Sequence, residues 1–266
     1  MPAAGNKTLD RAMSRAGLCS RTQAQQAIAA GRVQVNGRTV RDPTTWVDLV
    51  RDRITCDGAP LQARQKEVWL LHKPVGYVTT AADEHDRETV YELLPADSKW
   101  LAPVGRLDRD SSGLLLFTND SDLAHAITDP ASKLPKTYLV RIKGEVPDPT
   151  LAALRDGIEL HNGPTLPARI DRLDADGRST LLRFVLTEGR NRQIRRMVMA
   201  IGSRVHTLHR TTIGPIELGD APEGTCRRLQ PAEVSALRAA VSAARARSRP
   251  SRDAAPARSP RRARRP

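Results

Sequence analysis

Cysteine is scarce in this 266-residue chain. Cys19, Cys56 and Cys226 are widely spaced, odd in number and without a C-x-x-C pair. That excludes a disulfide framework and a thiolate zinc site, and it suits a reducing cytoplasm. Aromatic residues make up only 3%, so base stacking along an aromatic platform is not the expected mode of contact with unpaired nucleic acid. No long uncharged apolar segment and no amphipathic basic anchor appears, which argues against a membrane partner. The first ten residues, MPAAGNKTLD, lack the apolar core of a secretory signal. Phosphate-loop and dinucleotide glycine patterns are missing. His206 and His209 fall in one expected strand with two residues between them, so they face opposite sides and make a poor metal pair.

What the chain has in excess is positive charge. The net charge is +13 and the isoelectric point near 10.6, which points to a polyanionic partner, nucleic acid before membrane. The charge is unevenly placed: after Val241 there are nine arginines and one aspartate, leaving the rest only modestly basic. Residues 241–266 therefore read as a disordered Arg-rich tail, too poor in apolar side chains to fold. The 39% hydrophobic content and the length allow one large core or two domains.

Residues 8–63 read as a small separate domain. Thr8 starts a short helix, and Ser20 with Gln23 forms a capping box for a second helix that Gly31 stops. Asn36-Gly37 between β-branched runs is a preferred hairpin turn. Arg11, Arg15, Arg21, Arg32, Arg38 and Arg41 are candidates for a phosphate-facing surface, with a solvated basic face as the plainer reading. A polar stretch near residues 62–66 marks a linker, and residues 66–238 read as the larger domain. There, Lys73 in a Pro/Gly loop is a candidate phosphate contact or equally a surface lysine. Residues 136–143 alternate, turning Tyr138 inward from a strand. Asp148-Pro149 starts a helix that Gly157 ends. Residues 180–187 alternate again and lead into a helix with Ile194, Met197, Val198 and Ile201 on its buried stripe. Arg192, Arg195 and Arg196 lie on a neighbouring stripe, able to meet RNA, a buried carboxylate or solvent. Residues 205–213 read as a last strand, and a short helix runs from beyond Pro231 through Leu237.

The chain is organised around residues 105–120, GRLDRDSSGLLLFTND. Leu114 to Phe117 form a short continuous apolar run, the mark of a buried strand, while Gly113 and the Ser/Asp residues before it read as a loop. Asp108, flanked by Arg106 and Arg109, is the candidate nucleophile; the plainer reading is an aspartate capping its own turn.

These motifs together resemble a known family. GRLD with GLLLFTND, HKPVGYVTT at residues 72–80, KTYLV at 136–140, EGRNRQIRRM at 188–197 and LHRTTIGP at 208–215 are similar, in order, to ribosomal pseudouridine synthases of the RsuA-like family, which carry an N-terminal S4 RNA-binding domain. The resemblance implies an α+β protein: an S4-like domain followed by a catalytic domain on a mixed, mainly antiparallel sheet with flanking helices. It implies isomerisation of a uridine in ribosomal RNA, the large subunit being favoured, without a cofactor. It gives Asp108 the nucleophile's role and makes Tyr138 the ring that stacks on uracil and a candidate base. It makes Arg195 the carboxylate's partner, Leu208 the packing beneath the base, and Arg106 the residue that fills the space a flipped nucleotide leaves. Whether Asp108 attacks C1′, attacks the base or starts a glycal route stays open. Ribosomal RNA is the expected partner and a monomer the expected state. Two rivals are a noncatalytic RNA-binding assembly factor on the same fold, and a glycosidase or nuclease using Asp108 and Glu188.

Overall fold

The computed structural model describes residues 7–16, 19–48, 51–60, 65–81, 83–96 and 101–248. The N-terminal elements are β1 (Lys7–Thr8), α1 (Leu9–Arg15), α2 (Arg21–Ala29), β2 (Val33–Val35), β3 (Arg38–Thr39), β4 (Trp46–Val47), β5 (Ile54–Cys56) and β6 (Ala59–Pro60). The Ser20–Gln23 capping box is present at the start of α2. Asn36 and Gly37 both have positive φ, 52° and 78°, which is what a two-residue turn matched to strand twist demands, and β2 pairs with β3 across it. Leu9, Ala24, Ile28 and Val33 are fully buried and close this small core.

The larger domain is built on a nine-stranded sheet. Its strands and helices are β7 (Val68–Lys73), β8 (Ala102–Val104), β9 (Ser112–Thr118), α3 (Ser121–Thr128), β10 (Lys136–Lys143), α4 (Asp148–Asp156), the small pair β11 (Glu159–Leu160) and β12 (Gly163–Pro164), β13 (Arg169–Ala175), β14 (Ser179–Leu186), α5 (Gln193–Ala200), β15 (Val205–Ile213), β16 (Ile216–Glu217), β17 (Cys226–Arg228) and α6 (Pro231–Ser248). The order β13-β14-β10-β15-β9-β7-β17 joins two antiparallel halves through the parallel pair β15·β9. One half packs Val140, Ile142, Leu182 and Phe184 against Met197 and Val198 of α5. The other packs Leu70, Leu114 and Leu116 against Ile127 of α3 and Leu237 of α6, while Leu71, Leu115 and Phe117 fill the opposite face. Every residue of β9 is buried, so its apolar run is the spine of both layers.

Several expectations are corrected. Ser112 and Gly113 belong to β9, not to the loop before it, because both pair with β15. Gly113, at φ 107°, lies so close to that strand that a Cβ would stand 2.2 Å from the Arg210 carbonyl oxygen; only glycine permits the junction. His72 and Lys73 extend β7 because they pair with Leu114 and Gly113. The helix after Pro231 does not stop near Leu237. It reaches Ser248, burying Val241 and Ala244, and Arg245 pairs with Asp129 at 3.1 Å, so residues 241–248 are folded. The rest of the expected tail lies outside the described residues, as does the linker segment 61–64.

Candidate active site

The loop before β9 is fastened from three sides. The Ser111 amide donates to the Asp108 carbonyl at 3.0 Å, closing a turn that turns the carboxylate outward. Thr79 Oγ1 donates to the Leu107 carbonyl at 2.8 Å and accepts from its amide at 3.3 Å. The Gly76 amide donates to the Arg109 carbonyl at 2.9 Å while Arg109 Nε donates to the Gly76 carbonyl at 3.0 Å. Residues 73–79 are thus a cradle for the Asp108 loop.

Lys73 belongs to that cradle, and its expected phosphate contact is overturned. It is 0% exposed, and its Nζ donates to the carbonyls of Ser111 at 2.7 Å and Pro74 at 2.9 Å. Burial pushes its ammonium down to about 8, with the Asp108 and Asp110 charges opposing. The lysine is buried because pairing of Lys73 with Gly113 carries its stem beneath the loop.

Facing the loop is the start of α5. Arg192, its N-cap, sits at φ 50° in the left-handed region, an unusual conformation for a side-chain-bearing residue. The turn before it is fixed by Glu188. That carboxylate accepts from Arg190 Nε at 3.0 Å, from the Leu166 amide at 3.0 Å and from Gln193 Nε2. The result is a pair of guanidinium groups aimed at Asp108: Arg192 Nη1 is 3.2 Å and Arg195 Nε 3.8 Å from Asp108 Oδ2. Arg195 also donates through Nη2 to the Asp110 carbonyl at 2.7 Å and to Ser111 Oγ at 3.3 Å. Burial, and then the Arg192 charge, pull the Arg195 pKa below its ordinary value. Its Nε is buried without a hydrogen-bond partner among the described residues.

The third wall is the sheet. Tyr138 on β10 lies opposite Arg210 and, one pleat on, Val140 lies opposite Leu208, so Tyr138 and Leu208 share a face. Asp108, Tyr138, Leu208, Arg192 and Arg106 line one cavity. Tyr138 is half-buried, and its hydroxyl has no hydrogen bond among the described residues, leaving a ring face and a phenol available. Arg106 is exposed and lines both cavities that Asp108 lines. Arg196 turns away, toward Asn191 Oδ1 at 2.9 Å and His161 at 3.4 Å. The sequence placed Asp108, Tyr138, Arg195, Leu208 and Arg106 together, and they are together. It missed that Arg192 is the nearer guanidinium; the αL turn that aims it leaves no mark in helical periodicity.

A carboxylate, a phenol and paired cations around a partly apolar cavity can hold a flat base and act on the sugar attached to it. Residues 67–200 match the family model for RNA pseudouridylate synthase, and residues 7–54 match that for the S4 domain. The chain belongs to the RNA pseudouridylate synthase family. It is 38% identical over 234 residues to an uncharacterized RNA pseudouridine synthase of Aquifex aeolicus, covering 88% of this chain and 94% of that protein. It is 36% identical over 233 residues to the ribosomal large subunit pseudouridine synthase B of Bacillus subtilis, covering 87% and 95%. A crystal structure of a pseudouridylate synthase superposes with a TM-score of 0.64 at 32% identity, covering 87% of this chain and 99% of that one.

In the synthase's S4 domain the candidate RNA-facing arginines divide. Arg11 and Arg38 are exposed with no acid partner among the described residues. Arg21 pairs with the buried Asp10 at 2.6 Å and Arg32 forms a two-pronged pair with Asp57, so part of their charge is already answered. Burial alone would raise the Asp10 carboxyl, but hydrogen bonds from Thr8, Arg21 and Gln25 hold it well below the usual range. Arg41 donates to the Ala29 carbonyl at 3.1 Å. The Arg15 side chain lies outside the described residues. Trp46 on β4 is 56% exposed.

Proposed function

We propose that this synthase isomerises a uridine of ribosomal RNA, in the large subunit, by everting the nucleotide into the cleft between the Asp108 loop, α5 and the β10·β15 face. In the reaction the N1–C1′ bond breaks, a C5–C1′ bond forms, and the proton lost from C5 is balanced by one gained at N1, with no redox change. Asp108 acts at the sugar or base as nucleophile, splitting one hard step into two. Arg195 and Arg192 balance its charge and orient it, Tyr138 stacks on the uracil and takes the late proton, and Leu208 packs under the base. Arg106, exposed at the mouth, fills the gap left in the RNA, and eversion costs a few kcal/mol that such contacts offset.

The observation that carries this reading is the placement of Asp108 within reach of two guanidinium groups on a cavity shared with Tyr138 and Leu208. The large-subunit assignment leans on the B. subtilis relative's name. Glu188 is spoken for by three donors, which disfavours a two-carboxylate glycosidase. The test is to incubate the protein with large- and small-subunit RNA transcripts and map pseudouridine. Product at a discrete large-subunit uridine is expected; product confined to the small subunit overturns the target, and strand breaks or released uracil overturn the chemistry.

A further inference from the structure

Two cations near Tyr138 have no part in the chemistry above. Lys136 and Tyr138 are two residues apart on β10 and share a face, and Arg210 on β15 lies opposite Tyr138. Arg210 is 3% exposed. Its Nε donates to the Leu114 carbonyl at 2.7 Å, but its Nη2 is buried with no hydrogen-bond partner among the described residues. Lys136 Nζ makes one hydrogen bond, to the Leu134 carbonyl at 3.3 Å. Burial and the Arg210 charge push its ammonium down to about 8. Among the described residues no carboxylate forms an ion pair with either head group.

Both cations line a cavity of about 550 Å³ that shares Tyr138, Arg106 and Arg190 with the nucleophile's cavity. Its two acids are already engaged: Asp129 with Arg245 and the Ala131 amide, and Glu188 with Arg190, Gln193 and the Leu166 amide. A buried cation beside a half-buried one, with no counter-charge, is costly, and an anion supplied by a ligand removes that cost. Every nucleoside in an RNA strand is flanked by phosphates, so a base held against Tyr138 brings one to the adjoining cavity.

We propose that Lys136, backed by the buried Arg210, holds a backbone phosphodiester beside the everted uridine, on the side of Tyr138 away from Asp108. The site rests on the synthase reading and sharpens it: it fixes the strand's path through the cleft and explains why a buried arginine and a half-buried lysine sit where no acid meets them.

The test uses the full chain and a decauridylate probe, which offers uridines and phosphates without a duplex to open. Affinity is measured across a salt series for the wild type, Lys136→Met, Lys136→Arg and Arg210→Met. Lys136→Met is expected to weaken binding about tenfold, as for loss of a hydrogen bond to a charged group. It is also expected to make the dependence of log K on log salt shallower by about 0.7, the value for one phosphate on a single strand. Lys136→Arg is expected to restore the slope. A Lys136→Met affinity and slope equal to wild type overturn the proposal. If Arg210→Met fails to fold, the two Lys136 variants, at the edge of the core, carry the test alone. Pseudouridine mapped in ribosomal transcripts is scored separately, so failure of the synthase reading shows as missing product whatever the salt slopes are.

Discussion

Two loops meet at the cleft, and they treat the acids they bring to it, Glu188 and Asp108, in opposite ways. Glu188, in the loop at residues 187–192, accepts hydrogen bonds from a side-chain amide, a guanidinium and the Leu166 backbone amide and is 11% exposed. The loop at residues 105–111 leaves Asp108 29% exposed, facing two guanidinium groups of which only one is within 3.5 Å. A carboxylate most of whose lone pairs are occupied is a structural part; one held by charge but not filled by donors is free to react. Cross-bracing from Thr79, Gly76 and Lys73 supplies rigidity to the Asp108 loop without touching the carboxylate itself.

The sharpest way to break this contrast is to neutralise each acid in turn. Asp108→Asn is expected to lower turnover by at least about 10³-fold while leaving RNA affinity near wild type, as for loss of a group acting in the reaction itself. Glu188→Gln is expected to keep turnover within about tenfold per folded molecule and to cost about 1–2 kcal/mol of stability, as for a weakened charged hydrogen-bond set. Single-turnover kinetics with urea unfolding on both proteins separate the two, and equal loss of turnover would erase the distinction.

Next in size is the floor under the Asp108 loop. Gly113→Ala forces a Cβ into the Arg210 carbonyl and is expected to cost on the order of 4 kcal/mol or prevent folding, the range of severe backbone strain and overlap. Circular dichroism through a denaturant series reads this directly. Smaller is the difference between the guanidinium groups. Arg195, 15% exposed, is expected to cost about 10²-fold in kcat when changed to Met, comparable with loss of one buried electrostatic donor. Arg192, at 43% exposed, is expected to cost about tenfold, since solvent screens it.

The smallest effect is one of pH. Lys73 has its pKa lowered from 10.5 to about 8, so between those values the unfolded chain binds a proton the folded chain has released, and stability contributed by this group rises with pH. Below about 8 the lysine is charged in both states and the burial penalty is fully present. Lys73→Met is therefore expected to show a smaller gain in unfolding free energy between pH 7.5 and 9.5 than the wild type, measured by urea melts on both proteins; an identical gain would place the titration elsewhere.

How far the sequence alone reached follows from what kind of signal each feature leaves. Strand β10 was legible to the residue because Tyr138, Val140 and Ile142 alternate, β15 kept its expected bounds although bulges shift its register against β10, and the Ser20–Gln23 and Asn36-Gly37 signals are local chemistry that tertiary packing left intact. Gly113 was misread as loop because its reason, a parallel neighbour at contact distance, is nonlocal. Lys73 was misread as a possible surface residue because β7 continues past its apolar run on ladder pairing with β9. Arg192 and Arg210 are similar cases: one is aimed by a left-handed turn, the other buried by its opposite strand, and neither circumstance shows in composition or period. The extension of α6 to Ser248 was hidden by its Ala/Arg-rich composition, although Val241 and Ala244 supply the buried face.

The most direct measurement is a crystal structure of the Asp108→Asn protein with an RNA that the wild type modifies. The expected result is a uridine swung out of its stack, its ring on Tyr138 and its ribose within about 3.5 Å of residue 108, the separation of a near-attack geometry. A target uridine still stacked in the RNA, with the cleft between Asn at 108, Tyr138 and Leu208 unfilled, would contradict the account.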